Sequence, residues 1–340
     1  MYSFANDYSE GACPKVMDAL NRTNNIQTPG YGLDVFCETA TNIIKKLTNH
    51  NDIDVHYITG GTPCNILAAS LLKPYEALIA VETGHINVHE TGGIELTGRK
   101  ILTCKGYHGK ITPGEIEQIV LKHTDEHMVK PKMLYISNST EIGTIYSKKE
   151  LYDLRKVCDE YNLYLFLDGA RLASALTCKE NDVEYEDLAK TCDVFYIGGT
   201  KNGLLSGEAV VLVNKNIQDD FRYHIKNKGA MLAKGFVLGI QFEEIFKDNL
   251  YFDLASKANE MASYIKKELS KLNVNFTIDS PTNQLFARFD KQVSNKIINK
   301  YGCELWENNV DHNVIRFVTS YKTSKQDCDE LIKDIASWLN

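Results

Sequence analysis

The chain has 340 residues, 43% of them apolar, and a net charge of −7. That length is more than one small core serves, so a large domain with a smaller companion is the starting expectation. The mildly acidic balance, with no basic block, disfavours a nucleic-acid partner, and no apolar run approaches the ~20 residues that cross a bilayer, so no membrane partner is expected either.

The first residues, MYSFANDYSEGACP, lack a basic stretch followed by an apolar one, the pattern of a secretory signal. From about residue 50 to 215, short apolar runs alternate with amphipathic stretches. DVHYITGG reads as a strand and TPCNILAASLL as a helix; ALIAVETG reads as a strand. TPGEIEQIVLKH carries a helix-start signal, Thr112 followed by Pro113. MLYISN (strand), KKELYDLRKVCDEYN (helix), LYLFLDGAR, DVFYIGG and AVVLVN (strands) follow. Alternation of this kind predicts an α/β fold, a mainly parallel sheet with helices on both faces. Ligands in such sheets bind beyond the carboxyl ends of the strands. Three segments, GGT, LDGAR and GGTKNG, lie at those ends. A helical linker, FRYHIKNKGAMLAKGFVLGIQFEEIF, then leads to a change of character. DLASKANEMASYIKKELSKL reads as a long helix, NFTI, QLFARF and VIRFVTS as short strands, and SKQDCDELIKDIASWL as a closing helix. The expected division is a large domain over 1–245 and a smaller α+β domain over 246–340. Residues 1–13 could fold against the small domain or cross a subunit boundary.

The nine cysteines are odd in number, scattered, and without a CxxC pair. Reduced thiols packed in the core of a cytoplasmic protein fit that pattern. No HExxH or other ligand spacing supports a metal site, and the GxGxxG of a nicotinamide enzyme is absent.

Four segments carry chemistry. Asp168 ends a strongly apolar strand, where an unpaired carboxylate is costly, so it calls for a cation. That cation is either Arg171, in a local ion pair, or a protonated ring nitrogen, leaving Arg171 for a substrate carboxylate. Lys201, hemmed by Gly198, Gly199 and Gly203, either snorkels from its strand end or is desolvated into a nucleophilic amine. Gly60, Gly61 and Thr62 lie between a strand and a helix start, either an ordinary turn or a phosphate cradle. His85 follows a strand in a glycine-rich stretch, either structural or stacked on an aromatic ring. Phosphate cradle, stacking ring, acid and amine together describe a pyridoxal 5′-phosphate site.

TGGTPCN, GHINVHE, LDGAR and GGTKNG stand in the order and at the approximate spacing of the threonine aldolase and aromatic amino acid β-eliminating lyase family, which this sequence resembles over nearly its whole length. The resemblance implies the aspartate-aminotransferase-like fold (fold type I), bound pyridoxal 5′-phosphate, and a homodimer or homotetramer with shared sites. It implies that Lys201 carries the cofactor, Asp168 meets its ring nitrogen, and His85 stacks on it, within a pattern that includes Ile86 and Glu90. Gly61 and Thr62 match the phosphate pair, with Thr200 and Lys228 also cofactor ligands (Lys226 competing with Lys228). Arg171 and Arg316 match the two arginines for a substrate carboxylate. His127 falls where a second active-site histidine stands, and Tyr31 resembles a tyrosine lent by the neighbouring subunit. Asn6 stands where a serine is usual, SNST at 137–140 where E-N-T-H is common, and His89 where an aromatic is common. These departures surround the substrate rather than the cofactor. The implied reaction is cleavage of the Cα–Cβ bond of L-threonine-like or L-allo-threonine-like amino acids to glycine and an aldehyde. The proton of the β-hydroxyl would pass to His85, His127 or a water. The alternative is β-elimination, or another pyridoxal-dependent reaction, on a different L-amino acid.

Overall fold

The computed structural model describes residues 2–339. Seven strands form one sheet: β1 (Asp54–Ile58), β2 (Glu76–Val81), β3 (Lys100–Cys104), β4 (Lys130–Ser137), β5 (Tyr164–Asp168), β6 (Val194–Gly198) and β7 (Glu208–Leu212), in the order β1-β7-β6-β5-β4-β2-β3. The five strands from β6 to β3 in that order pair in parallel, whereas β7 runs antiparallel to both β6 and β1. The reversal of β7 matters to the site. Its first residue, Glu208, is in register with Gly198 and with Ile58, so a strand beginning reaches the same rim as the strand ends.

Alternate residues of the strands pack into two separate cores. Ile79, Val81, Leu134, Ile136, Leu165 and Leu167 face one layer of helices; Leu78, Ala80, Met133, Tyr135 and Phe166 face the other. A sheet covered on both faces explains why its strands read as near-continuous apolar runs. The edge strand β3 lacks such a run and is absent from the sequence-based expectation.

Strands β8 (Gln284–Phe289), β9 (Glu304–Asn308) and β10 (Asn313–Val318) form a second, antiparallel sheet in the order β8-β10-β9. Helices Leu250–Lys271, Lys291–Tyr301 and Lys325–Leu339 share its core. NFTI makes only a single bridge, Phe276 to Ala287. The linker is two helices, Phe221–Asn227 and Phe236–Ile245; Gly229, at φ +73°, turns the chain after the first. The amino-terminal segment joins the small layer. Phe4 is buried there; its N–H donates to the Tyr301 carbonyl (3.1 Å) and its carbonyl accepts from the Val318 N–H (2.9 Å).

Candidate active site

Asp168 is 4% exposed at the carboxyl end of β5. Strands on either side supply its donors. Tyr196 of β6 and the Ala170 N–H (3.0 Å) donate to Oδ1; Tyr135 of β4 (2.8 Å) and the Asn65 amide (3.2 Å) donate to Oδ2. Burial, reinforced by the Asp168 charge, pushes both phenols well above the usual tyrosine range, so they remain donors. The same Asn65 Nδ2 donates to Glu90 Oε1 (2.9 Å), which lies 2.7 Å from His85 Nδ1. One amide thus ties the acid at the strand end to the histidine beside it.

A hollow of about 270 Å³ opens above Asp168, lined in part by Gly61, Thr62, His85, Thr200, Lys201 and Glu208. The helix Gly61–Ser70 starts at its wall with no side-chain cap, and Pro63 has no N–H, so the Gly61 and Thr62 amides are the orphan donors of its first turn. A Cβ at Gly61 would stand 3.0 Å from Tyr196 Oη, so only glycine leaves that wall clear. Lys201 faces the hollow from the turn after β6. Burial and the Arg171 charge push its amine below the ordinary lysine range, against the pull of Asp7, Asp168 and Glu208. Glu208 is 4% exposed; its Oε2 accepts from the Gly199 N–H (2.8 Å). Burial raises its carboxyl to about 7, assisted by Asp168 and opposed by the Gly199 and Thr200 bonds and by Lys201. A carboxyl that is partly protonated at neutral pH can stand near a phosphate without full charge repulsion. An uncapped helix start suited to an anion, an acid below and an amine beside it are the set of groups that pyridoxal phosphate requires, and the residues fit that group.

Lys201 also lines a second, outer hollow of about 460 Å³, together with Asn6, Tyr8, His85, Arg171, Arg316 and others. Arg171 does not pair with Asp168. Its Nε and Nη2 donate to Asp7 Oδ2 (2.7 Å) and Oδ1 (3.0 Å), and Asn283 adds a donor to Asp7 at 2.9 Å. Asp7 wins because it brings both oxygens to the guanidinium fork, whereas those of Asp168 are taken by the tyrosines and amides. Arg316 of β10 pairs through Nη2 with Glu304, which lies opposite it on β9. Asn6 turns its Oδ1 back to the Tyr8 N–H (3.0 Å) and Ser9 hydroxyl (2.8 Å), so a contact with a ligand falls to its Nδ2.

Lys201, Asp168, His85, Gly61, Thr62, Thr200, Arg171, Arg316 and Asn6 therefore meet at one rim. His127 does not. It is exposed in the loop before β4, at the amino-terminal end of the parallel strands, and its N–H donates to Asp125. The eight residues of β4 separate it from the rim by roughly 23 Å, so it cannot be this chain's proton acceptor. Tyr31 and Lys228 also lie outside both hollows. Tyr31 is half-exposed at φ +62°, with the Lys226 ammonium 5.6 Å from its ring, and Lys228 is an exposed residue following Phe221–Asn227. Sequence reasoning passed over Asp7, Asn65, Tyr135, Tyr196, Glu208, Glu304 and Trp306. Glu208 alone had a visible signal, an acid opening the apolar run AVVLVN.

Comparison with known proteins places the chain in a family and a fold. The model of the beta-eliminating lyase family matches residues 4–292. The chain is 30% identical to a low specificity L-threonine aldolase of a Pseudomonas species, over 99% of this chain and 98% of that one. The solved structure of the Leishmania major threonine aldolase is 42% identical, covers both chains fully and superposes with a TM-score of 0.98. An aspartate aminotransferase of Thermotoga maritima, 14% identical, shares the fold at a TM-score of 0.75, covering 100% of this chain and 92% of that one. With its mostly parallel seven-stranded sheet, its fold type I architecture and a family match over most of its length, the chain belongs to the beta-eliminating lyase family, a family of pyridoxal-dependent lyases that includes the threonine aldolases.

Proposed function

We propose that the chain is a pyridoxal 5′-phosphate-dependent threonine aldolase of low specificity, cleaving L-threonine and L-allo-threonine to glycine and acetaldehyde. The observation that carries this reading is the position of Lys201. It lines both the inner hollow, suited to a phosphate and a ring cation, and the outer one, which holds two arginines.

Gly61, Thr62 and Thr200 would hold the cofactor phosphate, and Asp168, fixed by four donors, would keep a proton on the ring nitrogen. When bound, the cofactor supplies an aldehyde that joins amines and a cationic ring that draws electrons from a bond at Cα. Lys201 would carry the cofactor; burial and the Arg171 charge lower the proton affinity of its amine. Arg171, committed to Asp7 through Nε and Nη2, offers Nη1 to the substrate carboxylate; Arg316 lines the same hollow as the second cation, and Asn6 offers its amide. Clamping the carboxylate would fix the orientation of the substrate and so select which bond at Cα is the labile one. Glu90 holds the His85 proton on Nδ1, which leaves Nε2 to take the proton of the β-hydroxyl. Tyr31 and Lys228 serve the site of an adjoining subunit in a homodimer or homotetramer. The two sheets are assigned to a large domain over 1–245 and a small one over 246–340, with the amino-terminal segment packed on the small one, and the free thiols suit the cytoplasm.

Release of acetaldehyde from threonine, with covalent fixation of the cofactor at Lys201 by borohydride, tests the proposal. Ammonia from tyrosine, tryptophan or cysteine with no acetaldehyde from threonine would replace it with β-elimination.

A further inference from the structure

The edge strand β9 brings two side chains to the outer hollow that a carboxylate clamp alone does not need, Glu304 and Trp306. The β9–β10 register places Glu304 directly opposite Arg316 and Leu305 opposite Ile315, then shifts so that Glu307 faces Val314. Trp306 is the extra residue of that bulge. Bulges re-aim side chains, and this one sets the indole 5.4 Å from the Arg316 guanidinium and edge-on to Phe286 at 5.0 Å. The arginine is held on three sides. Glu304 accepts from Nη2, Gln284 Oε1 lies 3.4 Å from Nη1, and the indole covers the plane. Its Nε, buried, has no partner. The two members of the ion pair differ in freedom. The Arg316 side chain is 15% exposed and that of Glu304 43%, at the first residue of an edge strand.

We propose that Glu304 is a built-in stand-in for the substrate carboxylate: it keeps Arg316 aimed into the hollow between turnovers and yields its place when an amino acid arrives, so that it sets how tightly amino acids bind. The inference rests on the reading of Arg316 as a carboxylate-binding residue. An arginine buried beside Arg171 is pushed below its ordinary range by burial and by that second cation, so a resident anion steadies the pair. The resident anion is also a competitor, because an incoming carboxylate must displace it. Glu304 is a positioning residue and touches no reacting atom.

The chain has two tryptophans, Trp306 and Trp338. In the cofactor-loaded Trp338→Phe protein, emission therefore reports Trp306 and the arginine beneath it. Glycine titrated into this protein, and into the same protein with Glu304→Gln, is expected to bind about fivefold more tightly in the latter, equivalent to about 1 kcal/mol. KM for L-threonine should fall by a similar factor while kcat moves by less than twofold. Glu304→Asp keeps the charge and shortens the reach, and should behave as Glu304→Gln does. Equal or weaker glycine binding in Glu304→Gln, or wild-type affinity in Glu304→Asp, overturns the inference. Absence of acetaldehyde from threonine in the parent protein would instead remove the aldolase reading, and the glycine titration would still decide the role of Glu304.

Discussion

Replacing Asp7 by Asn would leave the buried Arg171 guanidinium without its counter-charge. Asp7 is 3% exposed and accepts three hydrogen bonds, two from the arginine fork and one from Asn283. Removing one partner of such a pair costs about 3–5 kcal/mol, because the remaining charge stays desolvated. For 340 residues the unfolding entropy is about 0.7 kcal/mol per kelvin, so the expected loss is roughly 4–7 °C in Tm. Asp7→Leu with Arg171→Met, which removes both charges, should recover much of that loss. The pH dependence has a definite sign. Burial pushes the Asp7 carboxyl up, but Arg171, Lys201 and the hydrogen bonds from Arg171 and Asn283 outweigh it and hold it below the usual aspartate range. A depressed folded value stabilises fully above the unfolded value of about 3.9. That stabilisation fades as pH falls through the folded value, so the deficit of Asp7→Asn should be complete at pH 7 and narrow below about pH 4. Scanning calorimetry along a pH series measures both. A Tm within 1 °C of wild type at pH 7, or a deficit undiminished in acid, would refute the reasoning.

Lys201→Ala should retain no borohydride-fixed cofactor and lose turnover; an unchanged rate of acetaldehyde release would rule out its assigned role. Arg316→Ala should raise KM for threonine about 10- to 100-fold, the worth of a hydrogen bond to a charged group, while the absorbance of bound cofactor persists. A wild-type KM would contradict the clamp. Glu208→Gln should remove a pH-dependent penalty. With its carboxyl raised to about 7, wild type keeps its full stability below the ordinary glutamate value and loses on the order of 3 kcal/mol as pH rises through 7. Urea titrations at pH 5 and pH 8 should therefore show the Gln variant gaining on wild type with pH; a constant gap would show that Glu208 does not titrate in that window.

What was legible in the sequence was whatever local pattern dictates. The buried strands β2, β4, β5, β6 and β7 announce themselves as apolar runs, and the rim residues Asp168 and Lys201 stand where those runs stop. β3 and β9 did not appear, because these two edge strands, unlike the largely buried β1 and β8, carry exposed residues without alternation, as in ELWEN. The partner of Arg171 was hidden for a different reason. Three residues from Asp168 in sequence, it pairs with a residue 164 positions away, a choice made by tertiary packing alone. Tyr135 and Tyr196 read as core aromatics, and only the parallel register of β4, β5 and β6 turns their hydroxyls onto one carboxylate. His127 misled because the likeness supplied a role, whereas the strand direction supplied the distance.

The stretch from Phe4 to Asp7 works as a strut of set length. One end is fastened to the backbone of the small sheet and the other to the guanidinium of the large one. Inserting or deleting a single residue between these anchors would shift the chain by roughly 3.3 Å, beyond what a hydrogen bond tolerates. Variation in length within those four positions would therefore disconnect the two halves of the cleft.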